Sequence, residues 1–355
     1  MKKLLPLALI VAATIALAFL PSAESIGVGE KGERAIGEVI AVDDSGVEKH
    51  GLIEYGAQRL RVKLADGSER EATNTLRAQL ELDKKFKVGD QALVVMGEEP
   101  LIARDHWRLG WMAILFALFA LLLVVFGGWT GAKALFSFVF SCLAVWKILV
   151  PLCLKGYPAG WTAFITVAIL TGAIMYLVAG WTKKGFAAFA GAMLGVVASL
   201  FLAEFFTWTM NVNGATMPFV QTLLYSGYEV NIADIFVGAM ILASSGAVMD
   251  LAMDIAAGVG EVARHNPALG AKELFKSGVR IGRSVVGTMT TTLLLAYSGG
   301  YLTLLMVFAA QGTSPVDFLN STLVSAEMVK TLVGSFGLVL VAPFTALVSA
   351  KVFAR

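Results

Sequence analysis

The chain has 355 residues, of which 57% are hydrophobic and only 15% charged, with a formal charge of +2 and a mean hydropathy of +0.75. Soluble proteins carry roughly 25% charged residues, so this composition indicates a polytopic α-helical membrane protein and excludes a disordered chain; two cysteines exclude a disulfide framework. More than half of the charges fall between residues 24 and 108, and no basic cluster there or elsewhere suits a nucleic acid.

In chain order, Lys2-Lys3 and the apolar run 4–20 predict an N-terminal signal-anchor helix over 1–23. A cleaved signal peptide has the same order of parts. A cut after Ala23 leaves Pro21 where a small residue is wanted, which favours a retained anchor. Residues 24–105 predict a small extracytoplasmic β-barrel-like domain inserted between the first two spans. Gly37–Asp43 and Gln58–Leu64 alternate with period two, Asp66-Gly67 signals a hairpin before Glu69–Thr75, and Lys87-Val88-Gly89-Asp90 turns into Gln91–Met96.

Residues 106–355 predict a seven-helix membrane domain. A helix needs about 20 apolar residues to cross about 30 Å of hydrocarbon, and suitable stretches run over 109–128, 134–154, 160–180, 185–210, 232–262, 285–310 and 323–349. With the anchor this makes about eight spans. Lys2, Lys3, Lys133, Lys183, Lys184, Arg264, Lys272, Lys276, Arg280, Arg283, Lys351 and Arg355 fall on alternate connections, whereas 211–231 and 311–322 contain no Lys or Arg. The asymmetry predicts a multi-pass protein of the cytoplasmic membrane with both termini inside and residues 21–108 outside.

Chemistry is sparse. The three histidines lie in three separate connections, and Cys142 and Cys153 are about 16 Å apart along one helix. Neither a Walker loop nor a nucleophile elbow nor a zinc-protease motif is present, so the expectation is a non-enzyme without cofactors. What remains is charge inside spans, where an ionised group costs several kcal/mol unless paired or facing a cavity. Lys147 and Glu204 share an outer depth; a pair between them reads either as a structural bridge or as part of a translocation path. Asp234, Glu327 and Lys330, near span ends, read as snorkelling to the interface.

The inner layer is denser. Asp250, Asp254 and Glu261 form a stripe on the sixth span, and Thr288, Thr291, Thr292 and Ser298 put hydroxyls on the seventh. Carboxylates beside hydroxyl oxygens suit a hard cation or a proton relay. The competing reading is neutralisation at the headgroups by Arg280 and Arg283. Gly191 and Gly195 form a small-xxx-small packing pattern, and Pro343 predicts a kink in the last span.

Two stretches resemble YibE/F-like bacterial membrane proteins: Asn74–Asp90, and the run from Ser245-Gly246-Ala247-Val248-Met249-Asp250 through Asn266-Pro267, Lys272–Gly278, Ile281-Gly282-Arg283 and Gly287–Thr290 to Tyr297. The resemblance implies an integral membrane protein with an extracytoplasmic domain and a permease-like body. Where that pattern carries Asp and Asn, this chain has Ser284 and Thr291.

The leading expectation is therefore a secondary permease or exporter for an unknown ion or small solute, with Asp250, Asp254, Thr288, Thr291, Thr292, Lys147, Glu204 and Arg283 as candidate transport residues. The alternative is a membrane-anchored sensor or scaffold whose outside domain binds an envelope component. A lipid-active enzyme using Asp250 and Asp254 as acid and base lacks a nucleophile or metal set. Expected partners are the bilayer, the solute, and a partner membrane protein or second copy, but no nucleic acid. A polar cavity reaching Lys147, Glu204 or Asp250 would favour the permease; a solid bundle would favour the scaffold.

Overall fold

The computed structural model describes residues 5–20 and 32–354, which divide into two compact units, one lying within 28–125 and the other built from the rest of the chain.

The first unit is a closed five-stranded barrel of β1 (Arg34–His50), β2 (Ile53–Leu64), β3 (Glu69–Arg77), β4 (Gln91–Val95) and β5 (Leu101–His106), in the order β1-β2-β3-β5-β4. Only β3 and β5 pair in parallel, and this topology is that of an OB-type Greek-key barrel. Strand β1 is long because it closes the barrel on both sides, pairing with β2 along its length and with β4 over Arg34–Glu38. Bulges between Val39 and Ala41 and between Asp43 and Gly46 coil it enough to do so. Alternation fills the interior: Leu60, Val62 and Leu64 point in, while Arg59, Arg61 and Lys63 point out.

One end of the barrel is plugged by the β3–β4 connection. Phe86, 1% exposed, fills it. Gln58 exchanges hydrogen bonds with the Phe86 backbone (2.9 and 3.0 Å), and Asn74 donates to Gln58 Oε1 (3.1 Å) and the Lys84 carbonyl (2.6 Å). Asp83 accepts from the Arg77 and Gln79 amides around Ala78, which has a positive φ of 62°. The Asn74–Asp90 stretch is thus a loop-pinning device.

The second unit is helical: α1 (Leu5–Phe19), α2 (Leu109–Ala144, its first part within the other unit), a π-turn (Val145–Leu149), α3 (Val150–Leu154), α4 (Ala159–Ala179), α5 (Lys183–Thr209), α6 (Val220–Tyr225), α7 (Ile232–His265), α8 (Ala271–Gly300), α9 (Leu302–Ala310), α10 (Pro315–Asn320) and α11 (Thr322–Phe353). Among the described residues, five helical runs are long and apolar enough to cross a membrane, or six if α8 and α9, bent by 65°, form one span. This is a membrane protein. Eight spans would require α1, whose 15 residues reach about 22 Å, and a division of the run Leu109–Leu154. That run does break, at Gly128 (φ 53°, ψ −130°), at the end of the stretch expected to be a separate span.

Helix α11 packs against α5, α7 and α8, and α7 also against α4 and α5. The α5–α11 seam is backbone-close: a Cβ on Gly191 would stand 2.7 Å from Thr345 Cα, and one on Gly195 2.9 Å from Val341 Cβ. The small-xxx-small pattern thus lies at a helix crossing. Met240, Ile241, Val248, Leu251, Ala252 and Ile255 of α7 are fully buried. Helix α11 runs unbroken through Pro343.

Candidate functional site

Helices α7 and α8 form an antiparallel pair. Glycines on α8 set its level: a Cβ on Gly278 would meet Val259, and one on Gly282 would meet Ile255, while Gly334 of α11 touches both Ser244 and Leu293. Residues 259 and 278, 255 and 282, and 244 and 293 are therefore side by side. In the same register Asp254 stands level with Arg283, Asp250 with Gly287, and Gly246 with Thr291.

This pair leaves one face open. Asp250, Asp254 and Glu261 of α7 are exposed, as are Lys276, Arg280, Arg283, Ser284, Thr288, Thr291 and Thr292 of α8. Neither Asp250 nor Asp254 forms a salt bridge among the described residues, and Arg280 and Arg283 form none either. The competing reading, neutralisation of the acids by these arginines, finds no such ion pair among the described residues. Glu261 instead bridges Arg264 at 2.7 Å, in the last turn of α7.

The hydroxyls are oriented by their own helix. Thr288 donates to the Val285 carbonyl (2.8 Å), Thr291 to Gly287 (3.1 Å) and Thr292 to Thr288 (3.0 Å). A hydroxyl whose proton points back along the helix offers its lone pairs outward, as an acceptor. The face thus presents carboxylate and hydroxyl oxygens together, which is chemistry for a cation or proton. Among the described residues no group of three or more His, Cys, Asp or Glu is placed to hold a metal ion.

Lys147 and Glu204 do not meet. The Lys147 ammonium donates instead to the carbonyl of Leu20, at 2.8 Å, just beyond the C-terminus of α1. A helix end offers unpaired carbonyls and partial negative charge, so it competes effectively for a cation. Ile10 and Leu17 of α1 pack against Phe140 and Ala144 of α2 and Leu170 and Leu177 of α4. Glu204, half-buried on α5, has no hydrogen-bond or ion-pair partner among the described residues.

The three acids and bases expected to snorkel are tied down. Asp234 accepts from the Ala159 amide at 2.9 Å, capping α4 from the first turn of α7. Lys330 donates to both oxygens of Glu327 (2.7 and 2.8 Å), and both side chains are about three-quarters buried. Beside them lies a cluster that sequence reasoning missed. The Tyr297 hydroxyl is buried without a partner, as is Thr331 Oγ1, and the Ser298 and Tyr301 hydroxyls stand 3.3 Å apart at a cleft of about 190 Å³ lined also by Glu327. The spacing Glu327-x-x-Lys330 was a readable sign of pairing.

Two further clefts mark the helical unit, one at Arg264 and Phe353 and one apolar between Leu149, Cys153, Ala163 and Leu242. None of the three is lined by Lys147, Glu204 or Asp250. The polar groups of α7 and α8 lie on an outer face.

A family model described as YibE/F-like protein matches residues 115–355, which include α7, α8 and the whole open face. No curated protein and no solved structure matches the chain.

Proposed function

Because the chain belongs to the YibE/F-like family, whose model spans this face, we propose that it is a secondary permease or exporter for a small cation or a solute exchanged against protons, without a catalytic step. The carrying observation is that Asp250 and Asp254, one turn apart and without an ion pair among the described residues, stand exposed beside a strip of hydroxyl acceptors on a helix pair of membrane-spanning length. A helix that serves only as an anchor gains nothing from such groups, each of which costs about 2.5–3.5 kcal/mol at mid-membrane. The close-packed interior weighs for a scaffold; the open charged face weighs more, and it supports a solute path along α7 and α8. In this reading residues 21–108 lie outside a cytoplasmic membrane and both termini inside, as the Lys/Arg asymmetry requires.

The test is proton flux in proteoliposomes, followed with an enclosed pH dye under imposed sodium, potassium or magnesium gradients. The full chain should move protons, and Asp250→Asn and Asp254→Asn should abolish that flux or its pH dependence, with Asp250→Asn eluting and melting like the parent. Equal flux in parent and variants would remove these residues from the path.

A second reading rests on the barrel. A cleft of about 460 Å³ on β1, β2 and β3, lined by Asp43, Arg59, Arg61, Glu71 and Thr73, would serve a sensor of envelope components. Its test is a change in the thermal midpoint of the full chain on adding cell-wall glycans.

A further inference from the structure

The open face of α7 and α8 poses a question of partnership. Hydrocarbon cannot satisfy Asp250 and Asp254, and these acids and the neighbouring Arg280 and Arg283 are all exposed and without an ion pair among the described residues; every charge left against hydrocarbon is unfavourable. The same strip is small in profile: Ala243 is exposed, and a Cβ built on Gly246 or Gly287 would meet nothing within 4 Å. Small residues interleaved with polar ones are what membrane helices use to approach one another closely.

The charge pattern identifies the occupant. Along this face Asp250, Asp254 and Glu261 stand on α7 and Lys276, Arg280 and Arg283 on α8, while the adjoining ends of the two helices carry Arg264, which bridges Glu261, and Glu273. The register that sets Val259 beside Gly278 and Ile255 beside Gly282 sets Asp254 level with Arg283 and Glu261 level with Lys276. A two-fold axis along the membrane normal keeps every residue at its own depth and exchanges α7 for α8. Asp254 and Glu261 then each face a base at their own level on the other molecule, twice over, as an isologous interface requires. An unrelated partner would need the mirror of this pattern by separate means.

We propose that the α7–α8 face is the contact between two copies of this chain, with Asp254 of each opposite Arg283 of the other and Glu261 opposite Lys276. The two-fold leaves Asp250 opposite Gly287, with Thr288 and Thr291 beside it, enclosed between the copies and free to bind. The interface stands whether or not the face carries a solute, so an association assay and a flux assay fail independently.

The test uses full-length protein, fluorescently labelled and reconstituted at low density into vesicles, with copies counted by photobleaching. Parent protein should bleach in two steps. Asp254→Arg and Arg283→Asp, each alone, should bleach in one, because each sets like charges opposite one another at both ends of the two-fold. Mixed in one vesicle preparation with different dyes, the two variants should colocalise, since the mixed pair restores both contacts. One-step bleaching of the parent would overturn the proposal, as would two-step bleaching of both single variants. Against a failure to fold, milder variants serve in a Cys142→Ser, Cys153→Ala background. Gly246→Cys on one tagged chain and Thr291→Cys on another should give a disulfide-linked pair carrying both tags, and a lack of that pair under oxidation would also overturn it.

Discussion

The two units treat polar groups in opposite ways. In the barrel, Gln58 and Asn74 are 0% exposed, yet between them they pin Phe86, Lys84 and Asp44 through a hydrogen-bond network that uses both ends of the Gln58 amide and leaves Asn74 Oδ1 without a partner among the described residues. On the α7–α8 face, the carboxylates of Asp250 and Asp254 and the guanidinium groups of Arg280 and Arg283 stand exposed and without an ion pair among the described residues. A polar group saturated by its own fold has structural work; one left open in an apolar setting has a partner still to meet. The contrast gives the barrel network an architectural role and is the ground for the exchange and the contact proposed at α7 and α8.

The largest expected effect comes from breaking the saturated side. Gln58→Ala removes four hydrogen bonds, taking the side-chain partner from both the amide and the carbonyl of Phe86 in a dry interior and leaving Asn74 only its bond to the Lys84 carbonyl. Each buried group so orphaned costs about 1–3 kcal/mol, so the barrel should lose roughly 3–5 kcal/mol in all. Hydrogen exchange should show loss of protection across β2, β3 and Phe86 and none across α7. If the Phe86 amide stayed protected in the variant, the network would be ornament and the contrast would fail.

A middle effect is expected where the helical unit borrows the barrel's habit. Asp234 caps α4 and Lys147 caps α1 across long stretches of sequence. Asp234→Ala should cost about 1–2 kcal/mol, as loss of a helix cap does, and Lys147→Met about 0.5–1 kcal/mol, as loss of a charge at a helix end does. Thermal unfolding in detergent would read both. A loss for Lys147→Met that vanished on adding Glu204→Leu would show that the lysine pairs with Glu204 after all.

How much of this was written in the sequence depends on how local each contact is. The alternation of Arg59 to Leu64 and the turn at Asp66-Gly67 are visible because β2 and its hairpin are set by near neighbours. The full length of β1 is not, because its bulges break the period where the strand bends to meet β4. The open face was legible as a stripe, since Asp250 and Asp254 are one turn apart on one helix. That it would lack intrachain partners was not, because pairing with Arg280 and Arg283 was equally allowed by spacing. Lys147 misled for the same reason: matching depth pointed to Glu204, while its acceptor is a backbone carbonyl 127 residues away. The cluster of Tyr297, Thr331 and Glu327 needed α8 and α11 to be packed together before it existed.

The smallest effect sharpens the contrast at the barrel surface. Asp66 accepts from both the hydroxyl and the amide of Ser68, at 2.6 and 2.9 Å, and these bonds, the side-chain one foremost, hold its carboxyl below the ordinary range. A carboxylate whose folded value is lowered stabilises the fold above its unfolded value, near 3.9, and the benefit fades as pH falls through the folded value. Asp66 is exposed on a turn, so solvent screens most of the gain. Asp66→Asn should therefore loosen the turn slightly at neutral pH, seen as faster exchange of the Ser68 amide, and the difference from the parent should close once the pH is well below 3.9. A difference that persisted unchanged into strong acid would mean that the carboxylate's charge has no part in the turn, and that even the exposed polar groups of the barrel are held by shape alone.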